Sequence, residues 1–350
     1  MIENSEKYVH SDSSTNIDSE TELISVSSKD VETETQQSEE IEDTNNYVFL
    51  IFLMLGFGAL LPWNMFLNIS YDYYTMFKLR ENHRNATWFS SNFQNAMTIS
   101  AQLPSLAFSV ANIFFATKGD LTNRMKICLA VVQAMVVFTI VFIYINTSSW
   151  IGLFFVATII SIIVLNAANG LFQNCMFGLA SPFPFKYTNA IIIGQNFCGT
   201  AVTFLAMVTK LEIYFMDVAI FLNFNLFAFL GSLMANWVQW PGPDTIWIFV
   251  AARLWFVFYF PAANYRPMGY PRVYPVLFHS TWFFVLNVTI FALSSGYLSS
   301  LIMMYAPRAH EEPQIQRMAG MLASFFLIFG IVSGLIASWQ IRLFITGYAN

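Results

Sequence analysis

The chain has 350 residues, of which 56% are hydrophobic, 17% aromatic and only 11% charged. A soluble domain carries about a quarter charged residues, so this balance excludes an ordinary soluble protein and reads as an integral membrane protein. The net charge of −5 hides a segregation: residues 1–45 hold thirteen Asp/Glu and two Lys/Arg, and the remainder fourteen Lys/Arg and eight Asp/Glu.

The acidic stretch comes first. Residues 1–45 are rich in Ser, Thr, Glu and Asp and nearly devoid of large apolar side chains. Such a segment cannot offset its conformational entropy by burial, so the sequence predicts a disordered acidic cytoplasmic tail. No basic n-region or apolar core opens it, so it is not a signal peptide.

Nine apolar stretches follow, at 47–70, 92–117, 126–146, 150–179, 188–209, 217–239, 245–263, 276–304 and 318–345. A membrane helix needs about 20 mostly apolar residues. An open sheet would leave backbone groups unpaired in lipid, and the alternation of a barrel is absent. The expected fold is therefore an all-α integral membrane bundle of about nine transmembrane helices. With the tail inside, six Lys/Arg fall in inner loops (Lys118, Arg124, Lys126, Lys186, Arg308, Arg317). Six also fall in outer ones (Lys78, Arg80, Arg84, Lys210, Arg266, Arg272), so the positive-inside rule gives no vote. Asn85-Ala86-Thr87 matches an N-glycosylation sequon and places the first loop outside and the tail in the cytoplasm.

Polar residues within the apolar stretches are the places to look for function, because they face a bundle interior or a water-filled cavity. The first span carries Pro62, Trp63, Asn64 and Asn68. The second carries Gln94, Asn95 and Gln102. On the fourth, Asn166, Asn169 and Gln173 follow i, i+3, i+7 spacing and share one helical face. An isolated amide is more simply interhelical glue, but this stripe fits a cavity lining at least as well. Beyond Asp72 no carboxylate lies well inside a span, which favours uncoupled movement of a neutral, hydrogen-bonding solute. Cys128, Cys175 and Cys198 lie in apolar stretches without metal or disulfide spacing. No nucleophile stands with a base, so no catalytic residues, metal, cofactor or nucleic-acid partner are expected; the lipid bilayer is.

Several segments together resemble the equilibrative nucleoside transporters. They are LLPWN (60–64), FQNAMTISAQLP, FQNCMFGLASPFPFKYTNAIIIGQ, FNLFAFLG, QWPGP, ARLWFVFYFPAANYRP, SSGYLSSLIMMYAPR and RMAGMLASFFLIFGIVSGL, in order over most of 47–345. The resemblance implies a fold similar to the major facilitator superfamily, with an N-terminal bundle at 46–210 and a C-terminal bundle at 211–350 rocking around a central site. It implies facilitated diffusion of nucleosides, and also nucleobases, across the plasma membrane without ion coupling. Carried over by motif, Leu60 and Trp63 would line the pocket near the base, Asn64 would support the first span, and Met97 would be an apolar wall. Gln173 would hydrogen-bond the base edge, for an amide offers both donor and acceptor. Asn169 and Arg253 would be structural or gating residues.

Two departures stand out. The family has eleven spans, and here the fifth passes directly into one resembling the eighth, with no counterpart of the sixth and seventh. A partner chain could fill that gap. The eighth span of the family carries an Asp and an Arg that engage ribose; the matching residues here are Ala228 and Ser232, of which only Ser232 can hydrogen-bond. The competing expectation is a shortened family member that no longer transports and instead regulates or assembles with a full-length relative.

Overall fold

The structure is a computed structural model that describes residues 44–81, 85–115, 120–209, 217–263 and 272–347. The acidic segment 1–43 and the loop cations Arg84, Lys118, Lys210 and Arg266 lie outside the described residues. The chain divides into Met1–Tyr47 and Val48–Asn350. The described part of the first unit is a short turn, Thr44–Asn46, in which Asn45 and Asn46 take the left-handed conformation that asparagine tolerates.

The second unit is helical throughout its regular structure, and no named strand occurs among the described residues. We number the α-helices in chain order: α1 Tyr47–Ile69, α2 Trp88–Phe115, α3 Leu121–Tyr144, α4 Ile151–Ala180 and α5 Phe185–Thr209. They are followed by α6 Asn223–Met234, α7 Ile246–Ala252, α8 Leu254–Ala262, α9 Thr281–Arg308 and α10 Pro313–Ile345. Among the described residues, seven helices are long and apolar enough to cross a membrane. Two shorter apolar segments, Val218–Met234 and Ile246–Ala262, complete the nine read from the sequence.

Local chemistry sets the boundaries. Pro62 sits within α1, which continues as a π-helix over Ser70–Lys78. The entry to α2 is a reciprocal cap: the Ser90 N–H donates to Thr87 Oγ1 and the Thr87 N–H to Ser90 Oγ, both at 3.1 Å. Asp120 caps α3 by accepting from the Thr122 N–H at 3.1 Å. The stretch expected as one seventh span is divided at Arg253, where the helical pattern breaks between α7 and α8.

Packing is closest where small residues meet backbone. A Cβ on Gly56 would lie 2.1 Å from the Ile191 carbonyl oxygen, and one on Gly194 2.0 Å from that of Leu53. The backbones of α1 and α5 therefore touch at two reciprocal glycines, the close approach that stands in for a hydrophobic drive between helices in lipid. The pair α6–α9 repeats the device: a Cβ on Gly231 would lie 2.2 Å from Leu293 O, and one on Gly296 1.9 Å from Ala228 O. The second half of α4 is buried almost all round, as an apolar helix at the centre of a bundle should be. Its residues share one core with Phe52, Tyr187 and Ile191. A second, aromatic core gathers Phe66, Tyr74, Phe93 and Phe154. Leu50, Met54, Leu153, Ile160, Trp255 and Phe258 point outward and exposed, which suits hydrocarbon and not water.

Candidate functional site

The polar side chains converge on α5. The motif GQNFCGT places amides, a thiol and a hydroxyl on successive faces of one helix, and each face finds a different neighbour. Gln195 Nε2 donates to Gln173 Oε1 of α4 at 3.4 Å. Asn196 Nδ2 donates to Ser232 Oγ of α6 at 2.6 Å. Asn64 Nδ2 of α1 reaches Cys198 Sγ at 3.7 Å. One turn before this motif, Asn189 Nδ2 donates to Ser232 O at 3.0 Å and to Asn236 Oδ1 at 2.7 Å. One turn after it, Thr203 Oγ1 accepts from Asn225 Nδ2 at 3.4 Å. This is a buried polar seam along α5.

Within the seam Gln173 and Gln195 are both buried. The one hydrogen bond of the Gln173 side chain among the described residues is the one it accepts, so its NH2 donors are free. Gln195 likewise keeps its carbonyl oxygen unused. One donor set and one acceptor thus stand side by side between α4 and α5, without a charge. Asn169 is buried one turn before Gln173, and Asn166 spends its amide on Ile162 O at 2.9 Å.

Trp63 looks the other way. One residue along a helix turns about 100°, so Trp63 faces the aromatic core while Asn64 faces α5. Its ring stacks on Phe66 at 6.0 Å between centroids and 7° between planes. Beside it a cavity of about 10 Å³, bordered by Thr139, Ser161 and Asn166, has room for about one water. Met97 is buried among Phe66, Phe93 and Phe154. Leu60 is half-buried on α1, three residues before Trp63. A larger space of about 400 Å³ lies farther along, between α1 and α5, where Asn68, Asp72, Tyr73 and Thr209 supply the polar wall.

Ser232 and Ala228 belong to a helix contact. Ser232 is fully buried and donates to Ala228 O at 3.0 Å while also lying 3.4 Å from Gly296 O. Ala228 is buried where α9 approaches through Gly296. Arg253 stands apart from the seam: its guanidinium lies 4.9 Å from the centre of the Phe291 ring, and its buried Nε makes no hydrogen bond among the described residues. Asn85 is exposed and bridged to Glu81. The three cysteines are free and buried, and no cluster of metal-ligating side chains occurs among the described residues.

Sequence reasoning overlooked the roles of Asn189, Gln195 and Asn196. The available signal was the run of amides itself; a polar stripe on one helix needs a polar partner on the next. A second network was also missed. Arg124 donates to Asn112 Oδ1 at 3.1 Å, and Asn112 Nδ2 reaches Cys175 Sγ at 3.6 Å and Met321 Sδ at 4.0 Å, joining α2, α3, α4 and α10.

Comparison with known proteins gives the seam a context. A family model described as "Nucleoside transporter" matches residues 159–213 and 209–343, just over half of the chain. Human equilibrative nucleoside transporter 1 is 24% identical over 458 aligned positions, covering 87% of this chain and 99% of the relative. Rat equilibrative nucleoside transporter 3 is 21% identical, covering 84% and 88%. Rat equilibrative nucleoside transporter 2 is 29% identical over 178 positions, covering 48% of this chain. The alignment to the human relative is longer than the 350-residue chain, so that relative carries segments this chain lacks. The family match falls into two parts that meet at 209–213, after α5. Nine apolar helical segments, a family match over half the chain and full-length relatives in order along it lead to one conclusion: this multi-pass integral membrane protein belongs to the equilibrative nucleoside transporter family and not to an enzyme family.

Proposed function

We propose that the chain moves nucleosides, and nucleobases with them, across the plasma membrane by facilitated diffusion, alternating access between two bundles of the major-facilitator type. The observation that carries this reading is the uncharged amide pair Gln173–Gln195, buried between α4 and α5 with a donor and an acceptor left over. A nucleobase edge presents the complementary acceptor and donor, and an amide answers both. The space beside Asn68 and Thr209 is in the size range of small-molecule sites and serves as the vestibule through which solute approaches. Trp63, Leu60 and Met97 are assigned to the apolar wall of the base through the family motifs, with Trp63 and Met97 packed in the aromatic core in this conformation, and Asn64 steadies α1 through Cys198. Asn169 and Arg253 hold helices in register. The tail is cytoplasmic, and Asn85, which is exposed, carries the glycan.

The test is uptake of labelled adenosine, uridine and hypoxanthine into proteoliposomes holding the purified chain, with Gln173→Ala beside it. Uptake that equilibrates without an ion gradient and falls in the variant supports the reading. Absence of uptake from folded protein overturns it.

A second reading has its own observation. Ala228 and Ser232, at the family's ribose-binding positions, are spent on the α6–α9 contact, and the family match divides at 209–213. On this reading the chain has lost transport and pairs with a full-length relative, whose helices cover the gap. Robust uptake by the purified chain alone overturns it.

A further inference from the structure

A second apolar pocket lies between α8, α9 and α10 and shares no residue with the amide seam. It has a volume of about 480 Å³ and is bordered by Phe224, Phe256, Phe260 and Phe291 and by one face of α10. Gly334, Ser338 and Arg342 follow each other on that face at intervals of four residues. A Cβ built on Gly334 would meet nothing within 4 Å, so the face is open towards the pocket.

Two arginines stand near this end of the bundle, and they are used differently. Arg272 is consumed by backbone: its guanidinium donates to Ala263 O at 2.8 Å, Pro261 O at 2.9 Å and Pro275 O at 3.1 Å. The strap it anchors is tied to α10 by the Val273 N–H on Ile345 O at 3.0 Å, and by Tyr274 stacked on Phe344 at 4.5 Å. Arg342, half-buried in the last turn of α10, is the only charged side chain bordering the pocket, and its guanidinium makes no hydrogen bond or ion pair among the described residues. An arginine at the end of a membrane helix lays its stem on apolar surface and keeps its head at the polar layer. Here that geometry sets a cation over an apolar slot.

We propose that this pocket binds an anionic phospholipid of the surrounding bilayer, one acyl chain filling the slot along Phe256, Phe260 and Gly334 and the headgroup phosphate on Arg342. Guanidinium matches a phosphate in charge and shape, with two parallel donors. The aromatic walls and the open Gly334 face give the chain a place that neither polar solutes nor a nucleoside would take. The site lies between α8, α9 and α10, so a bound lipid would stiffen the contact of α10 with its neighbours.

Native mass spectrometry of the purified full chain tests this, with phosphatidylglycerol and phosphatidylcholine of identical acyl chains as probes and oleate as competitor. The expected result is retention of phosphatidylglycerol over phosphatidylcholine by about fivefold, the factor one interfacial basic residue contributes. Arg342→Gln should bring the ratio to near one. Gly334→Leu, at a position where an added Cβ meets nothing within 4 Å, puts a side chain into the slot and should lower retention of both lipids. Equal retention of the two lipids by the unaltered chain overturns the proposal, as does a preference that survives Arg342→Gln. Displacement by oleate at equal concentration overturns the phospholipid assignment in favour of a free fatty acid.

Discussion

At the scale of single residues, two side chains named from the sequence turn out to do different physical work. Gln173 is half of an amide pair, and its substitution removes one partner while leaving the other buried. Gln173→Ala should lower the affinity for a nucleobase by roughly 1–3 kcal/mol, about 5- to 150-fold, the cost of a hydrogen bond lost inside a buried site. Gln195→Ala should do the same, and the double variant should be little worse than either, because one unit has been removed; competition of unlabelled nucleoside against labelled uptake measures all three. Trp63 is stacked on Phe66 in an aromatic core. Trp63→Ala should therefore destabilise the fold by about 3–5 kcal/mol as well as disturb uptake. Trp63→Phe should keep the protein folded, so that a remaining loss of uptake reports on the base and not on packing. Fluorescence-detected size exclusion on heating separates the two effects.

At the scale of helices, the decisive contacts are made by absent side chains. Gly56 and Gly194 let α1 and α5 touch, and Gly231 and Gly296 do so for α6 and α9. Gly194→Val or Gly296→Val should force these pairs apart and abolish the monodisperse peak of the purified chain. Gly330→Ala meets nothing within 4 Å and should leave that peak in place, with a gain of about 0.4–1 kcal/mol from a stiffer unfolded chain. The same logic bears on Ala228. A carboxylate there would be buried against the backbone of α9, where an unpaired charge is costly. Ala228→Asp should therefore lose folded protein and should not recover ribose binding, as yield after detergent extraction would reveal.

At the scale of the whole molecule, the charge pattern makes a direct prediction. The interior of the spans lacks carboxylates beyond Asp72, so uptake should reach the same endpoint with and without imposed proton or sodium gradients. A Asn85→Gln variant should migrate faster on a gel than the unaltered chain expressed in a glycosylating cell, and a glycosidase should erase the difference. The sequence by itself determined that the chain is an all-helical membrane protein, where its nine apolar segments lie and which family it joins. Hydrophobic runs of membrane length are satisfied in lipid as helices, and the family likeness rests on motifs such as LLPWN and QWPGP that stand in order along the chain. It also marked Asn166, Asn169 and Gln173 as one face. It did not say what that face meets, because a hydrogen-bond partner on another helix has no fixed spacing in sequence. Only the tertiary structure joined Gln173 to Gln195 and Ser232 to Asn196, and turned Trp63 and Asn64 to opposite neighbours. It alone divided the seventh segment at Arg253 and set Arg342 at the border of an apolar pocket. Those outcomes depend on which helices cross and how closely, and glycines far apart in the chain decide that by letting backbones approach.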